Sequence, residues 1–140
     1  MADSQRLQAL AALQSALDAV SSLATVEHGY EEQELSTYDD TDTPIIFIIP
    51  TTENYVWEKS MHHLCSLTVV CPMYFLDDGT DAQQGEALIQ AVRNKIGEDI
   101  TLGGKVAEAR VMSISFAGTF PLWKVVFTMR LRYEKRIDNV

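Results

Sequence analysis

The segment 122–134, LWKVVFTMRLRYE, decides the fold, because its side chains alternate strictly between two faces. One face carries Trp123, Val125, Phe127, Met129, Leu131 and Tyr133. The other face carries Lys124, Val126, Thr128, Arg130, Arg132 and Glu134. A period of two over this length is typical of a β-strand with one buried side. The segment therefore predicts a sheet packed on helices through one face, and function is to be sought on the other face.

The residues before this strand predict a helix, a turn and a partner strand. Apolar residues at helical spacing mark a helix over 83–97, with Gly97 as its end. Residues 99–104, Asp-Ile-Thr-Leu-Gly-Gly, form the turn that follows. Residues 110–117 alternate Met112, Ile114 and Phe116 against Val111, Ser113 and Ser115. With the turn at 118–121, this strand and the last one predict an antiparallel hairpin.

The N-terminal part predicts a helix, a charged strand and an acidic loop. Leucines recur at helical spacing within residues 1–23, and Asp3 or Ser4 can cap that helix. Residues 24–34 resemble a charged edge strand. We expect the polar, acidic residues 35–43 to form a mobile loop.

Two apolar strands complete the prediction. Residues 44–50 form a short apolar run between Pro44 and Pro50, which indicates a strand buried on both faces or at the sheet centre. Residues 63–76 alternate as a longer strand, in which Pro72 indicates an edge position or a bulge. The element order is α-β-β-β-α-β-β. The predicted fold class is α+β, a mixed, mainly antiparallel sheet with two helices packed on one face.

Composition indicates one domain over residues 1–140. The chain has 140 residues, of which 46% are hydrophobic and 22% charged, enough to bury a real core. The longest apolar runs fall far short of the roughly 18 residues of a membrane helix, so we expect no membrane segment. Cys65 and Cys71 lie on one face of a predicted strand, about 20 Å apart, too far to form a disulfide. They are expected to be free, buried residues in a reducing compartment.

The net charge of −9 is unevenly distributed. Residues 1–60 hold 11 acids and 2 bases, whereas residues 61–140 hold 9 of each. A pI near 4.6 argues against sequence-independent wrapping of duplex DNA. The acidic front and the basic last strand would complement each other on neighbouring copies, in the head-to-tail contact that closes rings. The alternative is that both are ordinary solvated faces.

Three short clusters contain residue types that are found in metal or phosphate sites. His62 and His63 are adjacent on a strand, so they point to opposite faces and suit a surface better than a metal site. Residues 77–81 lack the residue order and the distal Glu of a calcium loop. Residues 103–105 lack the first glycine and the Ser or Thr of a phosphate loop. We therefore predict no catalytic residue, no metal, no cofactor and no enzymatic activity.

The order of elements resembles that of the tail terminator (tail completion) proteins of tailed bacteriophages. The resemblance covers nearly the whole chain and rests on a helical N-terminus, a Pro-led apolar strand followed by a polar loop, and a long strand ending in an Asp-Gly turn. A helix, the Leu102-Gly103-Gly104 turn and a hairpin closing on Arg132-Tyr133-Glu134 follow. It implies a homo-oligomeric ring, usually hexameric, that caps the tail tube protein, ends tail polymerisation and joins the head connector protein. It also implies a place in the virion tail, after assembly in the host cytoplasm, with DNA passing through the lumen without specific binding.

The resemblance leaves only interface candidates as site residues. Lys124, Arg130 and Arg132 are the basic candidates. The acidic candidates, in an interface or along the lumen, are Glu31, Glu32, Glu34, Asp39, Asp40 and Asp42. Tyr55 and Trp57 are candidate interface anchors. The alternatives are a phage neck or head-completion adaptor, and a small enzyme or ligand-binding α/β domain.

Overall fold

The computed structural model describes residues 5–21, 23, 25–29, 44–59, 62–76, 82–119 and 122–136. Side chains are described within these ranges except at residues 56–59, 62–63, 76, 82–84, 119, 122 and 134–136. The elements in chain order are α1 (Gln5–Asp18), β1 (Thr25–His28), β2 (Ile45–Lys59), β3 (His62–Leu76), α2 (Ala82–Glu98), β4 (Glu108–Thr119) and β5 (Leu122–Arg136). This order confirms the predicted α-β-β-β-α-β-β arrangement.

The strands form one five-stranded sheet in the order β1-β2-β3-β5-β4. β1 runs parallel to β2, and the other neighbours are antiparallel. The predicted α+β class with a mixed, mainly antiparallel sheet is therefore confirmed. β1 lies at the edge, as predicted from its charged sequence, although it spans only Thr25–His28. Neither described helix is long and apolar enough to cross a membrane.

Both helices pack on one face of the sheet, called here the helix face. The core there combines Leu10, Leu13 and Leu17 of α1 with Leu88, Ile89, Val92 and Ile96 of α2 and the inward side chains of the strands. β3 and β5 contribute the alternate residues that the sequence pattern placed there, Cys65 to Phe75 and Val125 to Tyr133. Cys65 and Cys71 are free and buried, as predicted. Burial raises the pKa of the Cys71 thiol to about 12.

β2 is longer than the predicted strand 44–50. Ile45, Ile46, Phe47 and Ile48 are buried in succession, which confirms a segment buried on both faces. The strand then continues past Pro50 to Lys59, pairing with β3 after a register shift between Pro50 and Thr52. β1 pairs with β2 only up to Ile48, so in the described residues a proline at position 50 removes no hydrogen bond to β1. The polar sequence after Pro50 carried no local signal for this long-range pairing.

Pro72 does not mark an edge, so that prediction was wrong. β3 lies between β2 and β5, and its pairing with β5 runs without a register shift through Pro72 opposite Val126. On the other side, the pairing with β2 passes from Met73 opposite Ile46 to Val70 opposite Ile49. Between these two pairs, where Pro72 lies, β2 and β3 are not paired, so the missing proline N–H is accommodated without a bulge.

The register of β4 changes at Met112. A shift between Val111 and Ser113 makes Met112 an extra residue relative to β5, and its side chain is 51% exposed. Before the bulge, Val111 pairs with Met129 on the helix face; after it, Ile114 pairs with Phe127 on that face. The predicted alternation was therefore correct for Ile114 and wrong for Met112, because a bulge exchanges the faces of all residues before it.

A tight turn joins α2 to β4. The Asp99 carboxylate accepts hydrogen bonds from the Thr101 hydroxyl at 2.6 Å, the Thr101 N–H at 3.0 Å and the Gly103 N–H at 2.9 Å. These bonds, led by that of the hydroxyl, hold the pKa of Asp99 below its usual value. Gly103 and Gly104 have φ angles of 73° and 82°, which favour glycine. The predicted Asp-to-Gly turn is thus present, and Asp99 organises it.

We expect Gly104→Ala to destabilise the protein by about 1–2 kcal/mol, the cost of the left-handed conformation for a residue with a Cβ. Within the described part of the chain, nothing lies within 4 Å of a Cβ built at position 104, so backbone strain alone accounts for the effect. Gly97→Ala is the matched control, because position 97 is equally open but lies in α2. That substitution should stabilise by up to about 1 kcal/mol. Urea unfolding measures both, and equal effects would contradict the assigned turn.

Candidate assembly surfaces

The face of the sheet away from the helices carries a patch of arginines. Two neighbouring cross-strand rows are polar, Asn54–Ser66–Arg132–Glu108 and Thr52–Thr68–Arg130–Arg110. Directly paired residues on antiparallel strands share a face and lie about 5 Å apart, as do Glu108 with Arg132 and Arg110 with Arg130. We call Arg110, Arg130 and Arg132, together with Glu108, the arginine patch.

The Glu108 carboxylate forms ion pairs with two guanidinium groups of the arginine patch. Glu108 Oε1 lies 3.1 Å from Arg110 Nε and 3.4 Å from Arg130 Nη2. The Nε of Arg130 is buried and has no hydrogen-bond partner among the described residues. Each guanidinium offers five N–H donors, so one carboxylate leaves most of them available. With three cations and one anion, the patch is suited to carboxylates from a partner.

Lys124 lies on the same face but outside the arginine patch. It is six residues from Arg130 along β5, or about 20 Å. Its ammonium lies 5.4 Å from the centre of the Tyr74 ring, a cation–π distance. The Tyr74 ring also meets Phe47 edge-on, with centroids 6.1 Å apart. The three predicted basic residues therefore divide between two different surroundings.

The face away from the helices is not polar throughout. Ile45 and Phe47 are 0% and 2% exposed, and alternation places them on this face. Pro72, beside them on β3, is also buried. The sequence pattern of β5 alone predicted one buried side, but the β2 end of the sheet is buried on both. Among the described residues, the two polar rows of the arginine patch therefore lie on the part of this face away from Ile45 and Phe47.

On the helix face, two tyrosines and an arginine of α1 surround the carboxylate of Glu53. Glu53 accepts hydrogen bonds from the hydroxyls of Tyr133 and Tyr55, and its Oε1 lies 3.3 Å from Arg6 Nη1. The Glu53 side chain is only 6% exposed, whereas that of Arg6 is 48% exposed. Burial and then Glu53 raise the pKa of Tyr133, and the hydrogen bond to Glu53 raises that of Tyr55. We call these four residues the Glu53 cluster; it joins β2 to β5 through Glu53 and Tyr133, and its contact with α1 is the partly exposed ion pair of Arg6.

The structure brings together only some of the predicted site residues. Arg130 and Arg132 are adjacent in the arginine patch, and Tyr55 is 52% exposed at the Glu53 cluster. Trp57 lies on β2, but its side chain is outside the described residues. The six acidic candidates and the predicted acidic loop, residues 35–43, also fall outside the described residues.

Sequence reasoning missed Arg110, Glu108 and Glu53. Arg110 was on the apolar side of the predicted strand, because the bulge at Met112 was not foreseen. Glu53 gave no local signal, since it faces Tyr133 only through pairing of three separate strands. Among the described residues, no group of three or more His, Cys, Asp or Glu side chains could hold a metal ion.

No protein-family model matches the sequence, and no curated protein matches it either. Among solved structures, the chain is similar to one from the virion of a native gene transfer agent particle. The two chains are 12% identical, with a TM-score of 0.49. The alignment covers 89% of this chain and 93% of the other. A similarity of this degree does not assign a function.

Proposed function

We propose that the protein is a structural virion protein, a phage tail terminator that forms a ring on the tail tube. In this role it ends tail polymerisation and presents the surface that joins the head connector. The element order found in the structure is the order on which the resemblance to tail terminators rests. No catalytic step is part of the proposal.

The arginine patch is the observation that carries the proposal. Among the side chains that the structure describes, it has three cations and one anion on a strand face that the helices leave uncovered. The excess of acid in residues 1–60, 11 acids against 2 bases, gives a neighbouring copy the complementary charge. A contact between two different surfaces of one chain is head-to-tail, and such contacts close into rings when the rotation fits.

Light scattering across salt concentration tests the ring. We expect a discrete mass near six times 15.7 kDa at low salt, decreasing as salt screens the charged contact. Arg130→Gln with Arg132→Gln should shift the ring to smaller species. Arg93→Gln with Lys105→Gln removes the same charge from exposed sites elsewhere and should leave the ring intact. An equal decrease in the light-scattering mass of both double variants would contradict a ring contact through the arginine patch.

A second experiment separates a terminator from a neck adaptor. Tail tubes assembled from the tube protein of the same virus, mixed with this protein, should show a terminal ring by electron microscopy and stop elongating. Continued elongation of the tubes, together with binding to the isolated connector, would favour the adaptor. If the free protein is monomeric, the same micrographs show whether the ring forms only on the tube.

A further inference from the structure

The outer edge of the sheet at β4 has the properties of a surface that pairs with another strand. β4 is the last strand in the sheet order, with β5 as its one partner among the described residues. At its start the Ala109 N–H donates to the Ile100 carbonyl at 2.7 Å, whereas the outward groups of residues 113–117 have no such backbone partner among the described residues. An open edge of this kind can accept a strand from another molecule.

The second half of β4 lacks the usual protection of an edge. Natural edge strands carry charges, prolines or bulges that hinder pairing. Residues 111–119, VMSISFAGT, contain neither a charged residue nor a proline. The bulge at Met112 comes before the regular stretch, and Gly118, with φ 92°, ends it. Residues 113–117 thus form an uncharged, regular and unprotected edge.

The exposed Phe116 side chain favours association at this edge. Its side chain lies on the helix face, opposite Val125, yet is 67% exposed. Beside it runs a groove of about 590 Å³ between α2 and the end of the hairpin. Its large apolar lining residues are Phe75, Ile89, Phe116, Trp123 and Val125, and the charged residues Glu86 and Lys124 also line it. A large aromatic residue beside an apolar groove at an open edge favours contact with a second apolar strand.

We propose that β4 pairs with β4 of a second copy, antiparallel and centred on Ser115. In this register Ile114 of each copy lies opposite Phe116 of the other, and Ser113 lies opposite Ala117. Opposing side chains then lie on the same face of the joined sheet, because Ile114 and Phe116 both belong to the helix face. Aromatic residues facing branched aliphatic ones stabilise antiparallel pairs.

The segment is complementary to itself in this register. Apolar side chains meet on the helix face, small and hydroxyl side chains meet on the other, and no charged residue enters the paired stretch. This twofold contact is separate from the head-to-tail contact of a ring, so the inference does not depend on the proposed function.

A cysteine placed on the twofold axis tests the pairing. Ser115→Cys brings two thiols onto directly opposite residues, whose Cα atoms are about 4.5–5.5 Å apart, within disulfide range. Ala117→Cys is the control, because it is equally exposed on the same face but lies about 13 Å from its copy. The native cysteines are buried and free, so they add little background.

Mild oxidation should convert Ser115→Cys mainly to a covalent dimer on a non-reducing gel and leave Ala117→Cys mainly monomeric. Ser115→Lys places two like charges face to face. At high salt, where the proposed ring is dissociated, this variant should have a light-scattering mass nearer one copy, whereas the unmodified protein should have a mass near two copies. Ala87→Lys, at an exposed position on α2, should keep the mass of the unmodified protein. Unlike the proposed ring, this dimer should persist at high salt. Equal cross-linking of both cysteine variants, or a single-copy mass at all concentrations, would overturn the inference.

Discussion

Replacing Phe127 by alanine should lower the free energy of unfolding by about 3–5 kcal/mol, the usual cost of a large cavity in a packed core. Phe127 is 0% exposed on the helix face of β5. It lies between Cys71 of β3 and Ile114 of β4, in the central region of the sheet that the helices cover. β5 is hydrogen-bonded to a strand on each side, so its backbone cannot easily move to fill the void, and the cost should be near the upper end of the range.

Phe116→Ala is the matched control for Phe127→Ala. The two phenylalanines lie on the same face of neighbouring strands, but Phe116 is 67% exposed. In dilute protein its loss should cost less than about 1 kcal/mol, since little buried area disappears. Urea unfolding followed by circular dichroism measures both variants. A similar cost for the two would mean that the helices do not cover the sheet as described.

The β5 pattern predicted the helix face because a strand buried on one side shows its environment in every second residue. The six residues from Trp123 to Tyr133 on that face needed no information from elsewhere in the chain. α2 was equally predictable from its stripe of four apolar residues. Local periodicity is sufficient to predict which side chains are buried when an element has one buried side along its whole length.

Features created by pairing between strands were less predictable. Residues 51–59 have no strand pattern, and they become strand because β3 pairs with them. One extra residue, Met112, moved Arg110 to the opposite face and joined it to Arg130. The arginine patch and the Glu53 cluster each combine residues distant in sequence. Their composition was visible in the sequence, whereas their positions depended on register and on bulges.

Replacing Glu53 by alanine should cost about 2–3 kcal/mol, because the buried Tyr133 hydroxyl loses its charged acceptor. Tyr133 is 2% exposed, and water cannot easily replace the carboxylate there. The ion pair with Arg6 adds little, since the Arg6 side chain is 48% exposed. Most of the effect therefore comes from the contact between β2 and β5.

A double-mutant cycle isolates that contact. Tyr133→Phe removes the hydroxyl and keeps the ring, so Glu53→Ala combined with Tyr133→Phe should cost less than the sum of the two single changes. Tyr55→Phe is the control, because the Tyr55 side chain is 52% exposed and its coupling to Glu53 should be small. Additive effects of Glu53→Ala and Tyr133→Phe would show that the two side chains do not interact in solution.

The Glu53 cluster also predicts a loss of stability in alkaline solution. The pKa values of Tyr133 and Tyr55 are raised in the folded protein. In the unfolded chain the two phenols lose their protons near the ordinary tyrosine pKa of about 10, whereas the folded protein still keeps them at that pH. Unfolding then releases protons, so this stability is complete below that pH and is lost as pH rises further. When the pH rises from about 9 to about 11, the free energy of unfolding of the Tyr133→Phe variant should decrease less than that of the unmodified protein. Urea unfolding at the two pH values measures this difference. The buried Cys71 titrates in both proteins and cancels in the comparison, so an identical loss in the two would exclude the Glu53–Tyr133 contact as its source.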